Sequence, residues 1–118
     1  MNNILMISIH HYQRYASLEH NTNKRTSFLS VSSLTLMQLA ALTPKNFNLT
    51  VLDNPVDIDF NEKYDLIAIS TITPLVKYVY KLVDKFRQKD TVVVLGGYHP
   101  SALPWEAKMH ADSVVVGE

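Results

Sequence analysis

The chain has 118 residues, 47% apolar and 19% charged, with 11 Lys plus Arg against 11 Asp plus Glu. That length suits one domain able to bury most of its apolar surface, and the composition excludes a disordered or collagen-like chain. Balanced charge supplies no overall field toward nucleic acid or anionic lipid, and without cysteine these residues form no disulfide, thiolate nucleophile or iron–sulfur site.

The N-terminal MNNILMISIH has no basic leader, and its apolar run is short for a signal peptide. No stretch approaches the ~20 apolar residues of a membrane span. A soluble, cytoplasmic chain with neither a nucleic-acid nor a membrane partner is therefore expected. Apolar runs at 4–9, 49–52, 66–69, 92–95 and 114–116 predict five β-strands. Most are continuous rather than alternating, as in parallel strands covered on both faces.

The first strand leads into SIHHYQRY and a polar connection over 10–29, a length associated with function or mobility. A helix is predicted over about 31–42, carrying Val31, Leu34, Met37 and Leu42 and stopping before Pro44. Asp53 closes the second strand and reads as a capping or salt-bridging residue. After the third strand a helix is expected to begin at Thr73 as N-cap, with Pro74 in its first turn. Leu75, Val76, Val79, Leu82, Val83 and Phe86 form its apolar stripe, and Lys85, Arg87 and Lys89 suit its C-terminal dipole. The fourth strand runs into Gly96 and Gly97, and a short helix is predicted from Pro104 through His110. The fifth strand leads to Glu118 with no closing helix, the pattern expected of a fragment of a longer protein.

Alternation of this kind predicts an α/β fold: a doubly wound, flavodoxin-like (Rossmann-like) parallel five-stranded sheet of order 2-1-3-4-5. In such sheets ligands bind at the carboxyl ends of the strands, where the winding reverses. Here that crevice lies between the first and third strands, bordered by SIHHYQRY, STITP, GGYHP and the terminal GE. There is no G-x-G-x-x-G and no G-x-x-x-x-G-K-[ST], which argues against dinucleotide and P-loop nucleotide sites. Ser8, His10 and Ser70 stand where a receiver domain needs acidic residues, and His10–Tyr15 is no flavodoxin phosphate loop.

Ser70, Thr71 and Thr73 place hydroxyls at the third strand's end, before a helix N-terminus. Capping by Thr73 and backbone satisfaction by Ser70 explain them equally well. Gly96 and Gly97 permit positive φ and close approach to a ligand, and a simple turn explains them equally well. The histidines His10, His11, His20, His99 and His110 show no metal-ligand spacing, so no metal site is predicted; His10 and His99 can both face the crevice. Asp112 and Glu118 flank the last strand, and Trp105 reads as a packing contact for a neighbouring domain.

The run YDLIAISTITPLVKYVYKLVDKFRQKDTVVVLGGYHPSALPWEAKMHADSVVVGE, residues 64–118, resembles the cobalamin-binding domain at the N-terminus of many radical S-adenosylmethionine enzymes. That family carries "YD-apolar-S-x-T", then "V-x-GG-x-H-P-S/T-A-x-P-x-E-A", then "AD-x-V-V-x-GE", in this order. The first half fits more weakly, through its strand, its helix and the DIDF segment at 57–60.

The resemblance implies cobalamin as cofactor, with its tail passing Ser70, Thr71 and Thr73. Gly96 and Gly97 would let the fourth-strand loop pack against the tail beside Tyr98 and His99, with Val116, Gly117 and Glu118 on the far side. The corrin ring would lie over the carboxyl edge of the sheet, against a catalytic domain of the same parent chain. A 4Fe-4S cluster and S-adenosylmethionine would belong to that other part, where methyltransferase or cyclase chemistry would occur. S-I-H-H-Y-Q-R-Y replaces the D-x-H-x-x-G that supplies a lower cobalt ligand in many cobalamin domains, so ligation by His10 is not implied. The alternative reading is a structural or interaction domain of the same fold that has lost cobalamin binding; a third is a different small-molecule binder.

Overall fold

The computed structural model describes residues 2–10 and 34–117. The polar connection after His10, the first turn expected of the first helix, His11, His20 and Glu118 lie outside the described residues.

The strands are β1 (Asn3–Ile9), β2 (Asn48–Asp53), β3 (Leu66–Thr71), β4 (Val92–Gly96) and β5 (Ser113–Val114). They form one parallel sheet of order β2-β1-β3-β4-β5, as the alternation predicts. β1 is an interior strand and almost wholly buried, which is why NILMISI reads as a continuous apolar run. Its register aligns Ser8 with Asp53 on one side and with Ser70 on the other, and Ser70 in turn faces Gly96. Four residues that can bind or clear space for a ligand thus share one row across the carboxyl edge.

The helices are α1 (Leu34–Leu42), α2 (Val76–Arg87), α3 (Tyr98–Ala102) and α4 (Pro104–Lys108). Alternation along β1 sends Leu5, Ile7 and Ile9 to one face and Ile4 and Met6 to the other. The first set joins Ile67, Ile69, Val93 and Leu95 under α2, whose Val79, Leu82, Val83 and Phe86 recur at helical spacing. The second set packs on Leu36 of α1, with Phe47, Leu49 and Leu66 around it. Helices on both faces follow from right-handed crossovers that run outward from β1 in both directions.

Four local expectations are corrected. Thr73 is not an N-cap: residues Thr73–Leu75 form a 3₁₀ turn leading into α2, flanked by Ile72 with no side-chain cap bond, and Thr73 Oγ1 turns instead to His99. α1 buries Leu36, while Leu34, Met37 and Leu42 are exposed, because LTLMQLAAL is apolar all round and its periodicity selects no face. GGYHP is not an open loop, since Tyr98 begins the short helix α3. β5 ends at Val114, and Val115 and Val116 are exposed.

Candidate functional site

The carboxyl edge between β1 and β3 is built from short polar side chains that continuous apolar strands deliver to the same end. His10 follows the last residue of β1. Its N–H donates to Asn54 Oδ1 at 2.7 Å, and Asn54 N–H donates to Ser8 O at 2.7 Å. Asn54 has φ 48°, a left-handed conformation that asparagine tolerates better than most residues. It therefore ties the end of β2 to the end of β1 and holds the His10 backbone in place. In the sequence Asn54 is marked only by Asp-Asn-Pro at the end of a strand, a turn composition.

The His10 ring reaches across to β3, with Nε2 3.0 Å from Ser70 Oγ. Burial lowers the His10 pKa below its ordinary value, with the Asp53 carboxylate and a hydrogen bond at Ser70 opposing the shift. The ring is thereby biased toward the neutral form, able to donate from one nitrogen and accept at the other.

Ser8 lies in register with Ser70 and is 1% exposed. Its hydroxyl is buried with no hydrogen-bond partner among the described residues. An unpaired buried hydroxyl costs about 1–3 kcal/mol, so a ligand atom able to bond with it recovers that penalty.

Gly97 closes the wall on the β4 side. Its φ is 102° with ψ −167°, a region only glycine occupies without strain. A Cβ there would lie 2.7 Å from Thr71 O and 2.9 Å from both Ser70 Oγ and Thr71 N. The space that a side chain would need is thus filled by the end of β3. Gly96 differs: a Cβ would meet Val115 alone, its Cβ at 3.8 Å and its carbonyl oxygen at 4.0 Å.

The other residues expected at the site divide. Thr71 is fully enclosed and donates Oγ1–H to Ile9 O at 3.0 Å, so its hydroxyl fastens β3 to β1. Thr73 is exposed and bonds through Oγ1 to His99 Nδ1 at 3.1 Å. His99 is 3% exposed, and its Nε2 lies 2.9 Å from Glu106 Oε1. Tyr98 projects from the start of α3, 79% exposed. Gly117, at φ 82°, donates its N–H to Ser101 Oγ at 3.0 Å.

The structure therefore brings His10, Ser70, Gly97 and the unexpected Ser8 together in one group. Thr73, His99 and the unexpected Glu106 form a second. A cavity of about 240 Å³ lined by Val56, Ile58, Phe60, Tyr78 and Leu82, with Lys81 and Lys85, includes none of these residues. Among the described residues no cluster of three His, Asp or Glu side chains is placed to hold a metal ion, and no helix is long and apolar enough to cross a membrane.

Comparison with known proteins places this edge in context. The chain is 33% identical over 103 residues to a bacteriochlorophyllide d C-8(2)-methyltransferase of Chlorobaculum tepidum, covering 86% of this chain and 22% of that protein. It is 36% identical over 89 residues to a bacteriochlorophyllide d C-12(1)-methyltransferase of the same organism, covering 72% of this chain and 19% of that protein. The chain thus spans about a fifth of the length of these curated relatives. No solved structure matches it. The family model described as the B12 binding domain matches residues 28–118, most of the chain and every strand after β1, and the chain belongs to that family.

Proposed function

We propose that this domain binds cobalamin at the carboxyl edge of its sheet and holds it for a catalytic domain of a larger methyl-transferring enzyme. The observation that carries the reading is the family match over residues 28–118 on a chain whose β1–β3 edge holds, at Ser8, a buried hydroxyl with no partner among the described residues. The residues present fit such a cofactor: Ser8 and Ser70 offer hydroxyls in one row, His10 adds a ring biased toward the neutral form, and Gly97 lets the end of β4 pack closely on β3 to close the wall beside them. When bound, cobalamin supplies methyl-carrying chemistry, while the protein's contribution is to bind, orient and shield. Ser70, His10, Gly96, Gly97 and the Thr73–His99 pair are the residues assigned to binding, with Tyr98 and Gly117 at the margin; Glu118, expected beside them, lies outside the described residues.

The methyltransferase names of the relatives support methyl transfer in the parent protein. A radical S-adenosylmethionine domain in the same parent chain, with its 4Fe-4S cluster, is the catalytic partner this reading assigns.

The His10–Ser70 bond favours a second reading, a structural domain whose crevice is closed by its own side chains. Titration of the folded chain with hydroxocobalamin, followed by the corrin visible spectrum, separates the two. The expected result is a saturable spectral change. No change up to about millimolar cobalamin, the weak end of specific affinity, supports the structural domain instead.

A further inference from the structure

His99 is buried, and both its ring nitrogens are engaged, Nδ1 by Thr73 Oγ1 and Nε2 by Glu106 Oε1. A carboxylate oxygen only accepts, so Nε2 must carry a hydrogen. In the neutral ring Nδ1 then offers a lone pair, and the single Thr73 hydroxyl proton is spent on it. Thr73 Oγ1, on an exposed residue at the end of β3, is left with acceptor capacity alone.

The carboxylate that dictates this is itself held. Glu106 Oε1 also accepts from Tyr80 Oη at 2.9 Å. The Tyr80 ring stacks on His110 at 3.9 Å between centroids, and His110 Nδ1 lies 3.5 Å from Asp84 Oδ1. The His99 bond, and after it the Tyr80 bond, hold the Glu106 carboxyl below the usual carboxylate range, consistent with an acceptor-only oxygen. One oxygen of α4 thus joins α2, α3 and the β3–α2 turn.

We propose that Glu106 is a positioning residue which, through His99, fixes Thr73 Oγ1 as a hydrogen-bond acceptor at the crevice, so that this point of the site takes a ligand group bearing an amide or other N–H donor. The inference rests on the cobalamin reading, because the peripheral amides of a corrin supply such donors. It adds that the site has a polarity: the β1–β3 row retains hydroxyl groups able to donate, whereas the Thr73 position accepts.

Two measurements on the full chain test it. Nitrogen-15 NMR of the imidazoles should show His99 protonated at Nε2 and bare at Nδ1, and a proton on Nδ1, in the other tautomer or in the imidazolium, overturns the proposal without any ligand. Cobalamin titrations on E106A, T73V and the double variant should each show about five- to tenfold weaker binding, the loss of one hydrogen bond, with the double variant no weaker than either single. E106Q keeps an oxygen that accepts from His99 and Tyr80, and should bind within about twofold of wild type. Additive losses in the double variant mean that Glu106 acts independently of Thr73 and sink the proposal. Unchanged affinity in E106A sinks it alone. Failure of the wild-type chain to bind cobalamin removes the cobalamin reading and this inference together.

Discussion

Gly97 shows how one residue can serve a wall rather than a ligand. Its φ of 102° lies outside what a side chain tolerates, and the place of a Cβ is occupied by the Thr71 backbone and Ser70 Oγ. Gly97→Val should therefore lower stability by about 2 kcal/mol or more, since strain and backbone collision add. Gly96→Ala, whose Cβ meets only Val115 at an ordinary distance, should change it by less than about 0.5 kcal/mol. Urea unfolding of the two variants checks the contrast, and a Gly97 variant as stable as wild type would contradict the geometry. In the sequence the two glycines are indistinguishable neighbours. Only the approach of β3 separates them.

At the scale of elements, the short β5 is entered through Asp112, which adds side-chain anchoring to the strand's short ladder. Asp112 N–H donates to Val93 O at 2.9 Å, its Oδ2 accepts from Val93 N–H at 2.8 Å, and its Oδ1 pairs with Arg87 Nη2 at 3.2 Å. The residue couples the end of α2, the start of β4 and the entry to β5. Asp112→Ala leaves the N–H of fully buried Val93 without its side-chain acceptor and should cost about 1–3 kcal/mol. Arg87→Ala removes mainly a half-exposed ion pair and the bond to His110 O, and should cost about 1 kcal/mol. Denaturant midpoints for the pair test the order, and equal losses would mean that the ion pair, not the backbone bond, anchors the strand. Reading Asp112 from sequence as a flank of the last strand located it correctly without revealing its two partners. The short helix α3 was not legible either, because Gly-Gly-Tyr-His-Pro has the composition of a turn and becomes helical only where His99 is clamped by Thr73 and Glu106.

For the whole molecule, acid should act in two stages. The folded-state pKa of His10 is lowered by burial, so its contribution to stability is fully present above the ordinary value of 6.5. Below that, the unfolded chain takes up a proton that the folded chain resists, and stability falls as pH drops toward the folded value. Glu106 is lowered by its bond to His99 and then by that to Tyr80, so its contribution is present above 4.5 and is lost at still lower pH. Urea midpoints across pH 4 to 8 should decline from about 6.5 downward, and His10→Asn should flatten the upper part of that decline. An unaltered profile in that variant would show that His10 does not titrate in the folded crevice.

The strand order and the two-sided core were readable because continuous Ile, Val and Leu runs alternating with helical stripes have few other ways to be buried. The placement of Ser70, Gly96, Gly97 and His99 at the carboxyl edge was readable for the same reason, since strand ends are local. What tertiary structure alone decided is which hydroxyls are spent and which are spare. Thr71 is committed to Ile9 O and Thr73 to His99, while Ser8 is buried without a partner among the described residues. Asn54 and Glu106 acquire their roles only when β2 and α4 are brought against residues 44 and 7 positions away in sequence. The chain's local pattern determines where polar groups emerge, because strand and helix periods are properties of short segments. Which of them bond to one another depends on long-range register, and that belongs to the folded sheet alone.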